Sequence, residues 1–118
     1  VSIKSYLKQV LSQADIINLL PDKKVYFLHA NCPKAPYIEY QVIDEFGDAF
    51  AENKEISTRY IIQVDIFSYV DYSNIEEILL KKMIESGFNR DKGADLYEPD
   101  TKLNHKAMRF NISLPTNG

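Results

Sequence analysis

The stretch from Thr58 to Tyr69, T-R-Y-I-I-Q-V-D-I-F-S-Y, constrains the fold more than any other part of the chain. Tyr60, Ile62, Val64 and Ile66 fall on one side of a period-two strand, and Arg59, Ile61, Gln63, Asp65 and Phe67 fall on the other. The first face is wholly apolar. Burying its four side chains is worth roughly 1.5–3 kcal/mol each, about 6–12 kcal/mol in all, against a net stability of ~5–15 kcal/mol for a small domain. The rest of the chain has to cover that face. No Gly or Pro interrupts the run, and β-branched and aromatic residues dominate it, so it can take partners on both edges as the central strand of a sheet. Gln63 and Asp65 need solvent, hydrogen-bonding partners or another subunit, because a polar group buried unpaired costs about 1–3 kcal/mol.

Two helices are available as the cover. Ile3, Tyr6, Leu7, Val10, Leu11, Ala14 and Ile17 recur at spacings of three and four, which predicts an amphipathic helix from about Ser2, its cap, to Leu20. Pro21 and Asp22 stop it. The second helix follows the central strand: Ser73 and Glu76 form a capping box, Ile75, Ile78, Leu79 and Met83 make an apolar stripe, and Gly87 ends it. Further strands are expected at Val25 to Leu28, Tyr37 to Ile43 and Ala94 to Glu98. The closing strand sets Lys106, Met108, Phe110, Ile112 and Leu114 against His105, Ala107, Arg109, Asn111 and Ser113. The segment His29 to Pro36 reads as an ordered connector, Phe88 to Gly93 as a loop, Glu98 to Lys102 as a turn and Pro115 to Gly118 as a frayed tail. The expected fold class is α+β, a mainly antiparallel sheet of about five strands with two helices packed on one face, in a single domain spanning residues 1–118.

Composition narrows the function classes. The 118 residues suffice for one core, and 45% hydrophobic with 26% charged residues suits a soluble globular protein. No apolar run approaches the ~18–20 residues of a membrane span. The amino end is amphipathic, which argues against an export signal. Cys32 is the only cysteine and suits a reducing cytoplasm, where it is expected as a small packed side chain. Fourteen basic against seventeen acidic residues, a net charge of −3, give no electrostatic footprint for a nucleic-acid backbone, so protein partners are the default.

Enzymatic constellations are sparse. His29 and Cys32 lie three apart, but nothing local supplies an orienting partner or an oxyanion hole. Two histidines and one cysteine show no metal-ligand spacing, and the four glycines form no phosphate-cradling loop, so no metal and no cofactor is expected. Tyr97, Lys102, His105 and Arg109 could together imitate a small ribonuclease pocket, although Asp95, Glu98 and Asp100 nearby would repel a phosphate chain. No catalytic residue is assigned.

Two segments carry a resemblance: the central strand with Arg59, Asp65 and Phe67, and D-L-Y-E-P-D-T-K-L-N-H-K-A-M-R-F from Asp95 to Phe110. With the opening helix and the P-Y-I-E-Y strand, Pro36 to Tyr40, they resemble the tail completion family of long-tailed phages and prophages, the tail-to-head joining proteins similar in fold to the lambda-type tail terminator. Lys102 stands where family members often carry Gly. The resemblance implies a non-enzymatic virion structural protein. Such a protein is made in the host cytoplasm, is often monomeric alone and self-associates into a ring, expected to be hexameric, at the tail–head interface. Its implied partners are the tail tube protein and the head connector or stopper protein, with DNA passing through the bore without specific binding and no membrane involved. The alternatives are a small phage-encoded ribonuclease-like enzyme and a regulatory adaptor.

The segment Asp44 to Ser57 is expected to be a long functional loop, mobile in the free subunit and ordered by a ring contact. Five acids (Asp44, Glu45, Asp48, Glu52 and Glu55) face one base, Lys54, so it cannot clamp nucleic acid. Phe46 and Phe50 are either tucked back onto the domain or anchors for a partner. The candidate interface is Phe46, Asp48, Phe50, Glu52, Lys54, Gln63 and Asp65.

Overall fold

The computed structural model describes residues 2–116. The elements are α1 (Ile3–Leu11), α2 (Ala14–Ile17), β1 (Tyr26–Phe27), β2 (Tyr37–Ala51), β3 (Lys54–Ser68), α3 (Ser73–Glu85), β4 (Asn89–Glu98) and β5 (Leu103–Pro115). They form one open sheet in the order β1-β2-β3-β5-β4 with the helices on one face, an α+β architecture. All pairings are antiparallel except β1 with β2, which is parallel and two residues long.

β3 is the centre, with β2 on one edge and β5 on the other. Its apolar face holds the core: Ile62, Val64 and Ile66 are fully buried with Ile38 and Tyr40 of β2 and Met108, Phe110 and Ile112 of β5. Ile3, Leu7, Val10 and Leu11 of α1, Ile16 of α2, and Ile75, Leu79 and Met83 of α3 cover that layer. The helices are tied to each other as well. The Tyr6 hydroxyl donates to the Ser86 carbonyl at 2.6 Å, and Lys82 pairs with Asp15 at 3.1 Å. Lys106 keeps its stem in the apolar face and carries its ammonium to Asp95 at 3.3 Å and Glu76 at 3.7 Å.

Several expectations are corrected. The opening helix is broken in two, because Ser12 caps α1, Gln13 adopts an extended conformation, and its amide folds back to donate to the Val10 carbonyl. That break turns Ile16 and Leu20 into the core. Ser2 does cap α1, accepting from the Ser5 amide at 3.1 Å. The capping box of α3 does not form, since the Asp71 carboxylate takes both the Ser73 amide and its hydroxyl. Gly87 does end α3, with φ +95 and the Phe88 amide reaching back to the Met83 carbonyl. Phe88 to Gly93 is strand from Asn89 onward: a bulge between Arg90 and Lys92 absorbs Asp91, and β5 supplies the ladder. Cys32 is exposed rather than packed, at φ +50 in the connector. The connector itself is ordered by the Asp22 and Glu39 carboxylates, which accept the Lys34 and Ala30 amides. Pro115 ends β5, and Thr116 is bonded to Ile56, Thr58 and Glu55, so neither frays; Asn117 and Gly118 lie outside the described residues.

The largest correction concerns Asp44 to Ser57, which is no loop. β2 and β3 run on together to the pair Ala51 and Lys54, closed by a two-residue turn in which Glu52 and Asn53 have φ +51 and +65. Positive φ at both centres is the signature of the turn that matches strand twist, and Asn53 tolerates it well. A strand of fifteen residues spans about 50 Å at ~3.3 Å per residue, which accounts for the 52 Å long axis of a molecule 28 and 25 Å across. The hairpin is therefore an arm that extends past the helix-covered core.

Candidate functional site

Among the described residues, two surfaces lack a covering layer: the outer half of the arm, and the sheet face opposite the helices. The arm is built by its irregularities. Register shifts at Val42/Asp44, Gly47/Ala49 and Ala49/Phe50 place bulges at Ile43, Asp48 and Ile56. Each bulge bends the ribbon and changes which face the next residues occupy. Phe46 ends on the open sheet face, opposite Arg59, and Phe50 ends on the helix-bearing side, opposite Glu55. The Phe50 ring lies across Gly47, where an added Cβ would meet its Cζ at 2.5 Å. Even so, Phe50 is 61% exposed and Phe46 46%, with Ile43 and Ile56 also exposed. Both aromatics are therefore presented rather than buried. These four apolar side chains are set among the acids of the arm.

Asp48, one of the expected interface residues, is an internal tether. Its carboxylate pairs with Arg59 at 3.2 Å and accepts from the Ser113 hydroxyl, while Arg59 also donates to Asn111 at 2.6 Å. These contacts fix the arm to β5. The Ser113 bond, followed by the Arg59 guanidinium, holds the Asp48 carboxyl below its ordinary range. A depressed folded-state pKa contributes stability that is complete above the ordinary Asp value of about 3.9 and is lost as pH falls through the lower folded value. NMR relaxation should therefore show a looser arm from Phe46 to Ser57 in Asp48→Ala at neutral pH, with the unfolding midpoint nearly unchanged. The difference from wild type should shrink as pH drops into the acid range.

On the open sheet face, Gln63 and Asp65 are bonded to each other and to β5. Asp65 is only 5% exposed. It accepts from the Gln63 amide at 3.0 Å and is bonded to His105 Nε2 at 2.7 Å, while Gln63 accepts from Arg109 Nε at 3.3 Å. The network is satisfied: no buried side-chain nitrogen or oxygen lacks a partner among the described residues. His105 stacks on Phe67 at 4.2 Å between centroids, and Phe67 stacks on Tyr37 at 4.8 Å. Burial, then the Glu39 and Glu98 carboxylates, push the Tyr37 phenol up to about 12. It stays protonated at neutral pH.

The residues of the imagined ribonuclease pocket are not gathered. Leu96, not Tyr97, is the partner of His105, so Tyr97 faces the opposite side of the sheet, opposite Asn104. Lys102 is in the turn at φ +62, a conformation in which Gly is at ease, and the Lys102 amide closes the turn on the Glu98 carbonyl. His29 is exposed at 3.8 Å from Glu39. Among the described residues no three His, Cys, Asp or Glu side chains converge as a metal site, and no helix is long and apolar enough to cross a membrane.

Sequence reasoning missed a depression in the open face. Lys92, Arg109 and Gln63 form one cross-strand row, Ala94, Ala107 and Asp65 the next, and Leu96, His105 and Phe67 the third. The paired alanines lower the middle row between a cationic and an apolar one. The only signal available was the small residue in each of two strands, which has no meaning until the register is known.

In comparison with known proteins, no family model matches the chain and no curated protein matches it significantly.

Proposed function

We propose that the chain is a non-enzymatic structural protein that closes the tail tube of a long-tailed phage and joins the tail to the head connector as a ring of identical subunits. The observation that carries this reading is the far end of the β2–β3 hairpin, acidic and rich in exposed apolar side chains, flanked by β5 as far as Ser57 and unpartnered from there to its turn. A domain acting alone gains nothing from exposing Ile43, Phe46, Phe50 and Ile56, whereas a subunit that docks does. Two unlike surfaces on one subunit, an arm at one edge and a sheet face beyond it, suit the heterologous contact repeated around a closed ring. The family resemblance of the Arg59 to Phe67 and Asp95 to Phe110 segments supports the same reading, and those segments occupy the sheet centre and the β4–β5 hairpin. Acidic residues facing the bore would suit a passage for DNA that must not stick.

The test is genetic and biochemical. Removing the chain from a phage or prophage that encodes it should leave full heads and unjoined tails in the lysate, and adding purified protein should restore joining. Normal yields of joined particles without it would overturn the reading, and RNA cleavage lost in His105→Ala would replace it with the enzymatic one.

A further inference from the structure

The open-face depression has the shape and charge to receive the arm. Its floor is the Ala94–Ala107 pair, its apolar wall is Leu96, which is half exposed, and its cationic wall is Lys92 and Arg109, with Gln63 at the back. It is open to solvent, with a volume of about 420 Å3. Arg109 uses Nε on Gln63, and neither Arg109 nor Lys92 makes an ion pair among the described residues. Of the acids on the same strand, Asp95 turns to the helix face, where it meets Lys106 and Tyr72, and Glu98 lies at the far end beside His105. Asp91, the bulge residue, is the acid nearest in sequence. Asp65, at the end of the middle row, is buried and taken up by Gln63 and His105, so the depression has a cationic wall and an apolar wall over a floor whose one carboxylate is already bonded.

The arm is the complement of this surface. Glu45 and Glu52 are exposed acids without an ion pair among the described residues, and Phe50 beside the turn is the most exposed aromatic of the arm. We propose that the open-face depression is a docking groove for the arm of a second copy of this chain, with the Phe50 ring over the two alanines and the arm carboxylates against Lys92 and Arg109. Charge complementarity selects a second copy, because Asp44, Glu45 and Glu52 of the arm, and Lys92 and Arg109 of the groove, make no ion pair among the described residues. The arm grows from the β2 side of the sheet and the groove lies at the β4 side, so each subunit offers both halves of the contact to different neighbours. This inference rests on the ring reading and names the contact that builds the ring.

The experiment is a titration of isotope-labelled chain with unlabelled chain, followed by NMR. Concentration-dependent shifts are expected at the amides of Lys92, Ala94, Leu96 and Ala107. They should be lost when the unlabelled chain carries Phe50→Ser, or when the labelled chain carries Lys92→Glu. Both positions are exposed, so the remaining spectrum should report an intact fold. A labelled Phe50→Ser chain mixed with an unlabelled Lys92→Glu chain should regain the shifts, because one intact arm then meets one intact groove. Absence of the shifts in wild type, or their survival in both variants, overturns the proposal. Loss of tail completion in Lys92→Glu without shifts between copies assigns the groove to another tail or head protein and overturns it too. If the groove contact fails while the deletion phage still lacks joined tails, this contact falls and the ring reading stands. If the contact holds while the deletion phage joins heads and tails normally, the ring reading falls instead.

Discussion

Val64→Asp should abolish folding. Val64 is fully buried at the middle of β3, paired with Tyr40 on one side and Met108 on the other, beneath the layer made by α1 and α3. The substitution forfeits about 1.5–3 kcal/mol of apolar burial and leaves a carboxylate without a partner, which costs a further ~3–5 kcal/mol. Together these approach the ~5–15 kcal/mol that holds a small domain together. Gln63→Ala, one residue away on the other face, should cost only about 1–3 kcal/mol, because it removes the hydrogen bonds of a half-buried side chain to Asp65 and Arg109 and leaves His105 to Asp65 intact. Thermal unfolding of the two variants checks this. Equal losses would mean that the two faces of β3 are exchanged.

Replacing Phe46 and Phe50 together by Ser should have the opposite profile. Neither ring belongs to the core cluster, and the arm is held by the ladder, by Asp48 with Arg59 and Ser113, and by Glu55 with Thr58 and Thr116. The unfolding midpoint should move by no more than a few degrees, the scale of about 1 kcal/mol in a domain of this size. Completion of tails in a phage complementation assay should be lost, since truncating aromatic anchors at a contact commonly costs 2 kcal/mol or more per residue, about thirtyfold in affinity. A large loss of stability with assembly intact would place both rings in the core and remove the arm as the joining surface.

The parts of this fold that obey a simple period were legible in the sequence. The apolar faces of β3 and β5, the stripe of α3 and the stop at Gly87 all follow spacing or a single backbone requirement. The arm was not legible because three bulges break its alternation, and because its turn is Glu52-Asn53 rather than a pair containing Gly. The start of β4 was hidden for a related reason: N-R-D-K-G has turn composition, and only the β5 ladder makes it a strand. The Asp65–His105 bond joins residues forty apart on neighbouring strands, so it depends on a register that composition cannot give. The tether of Asp48 was hidden for the same reason, since its partners Arg59 and Ser113 are local only after the strands pair.

The most direct measurement is cryo-electron microscopy of joined particles from a phage that encodes this chain, with the chain carrying an affinity tag. The expected result is a closed ring of tagged subunits between the tail tube and the head connector, each arm seated on its neighbour. Joined particles whose tail–head interface contains no subunit of this chain would contradict it.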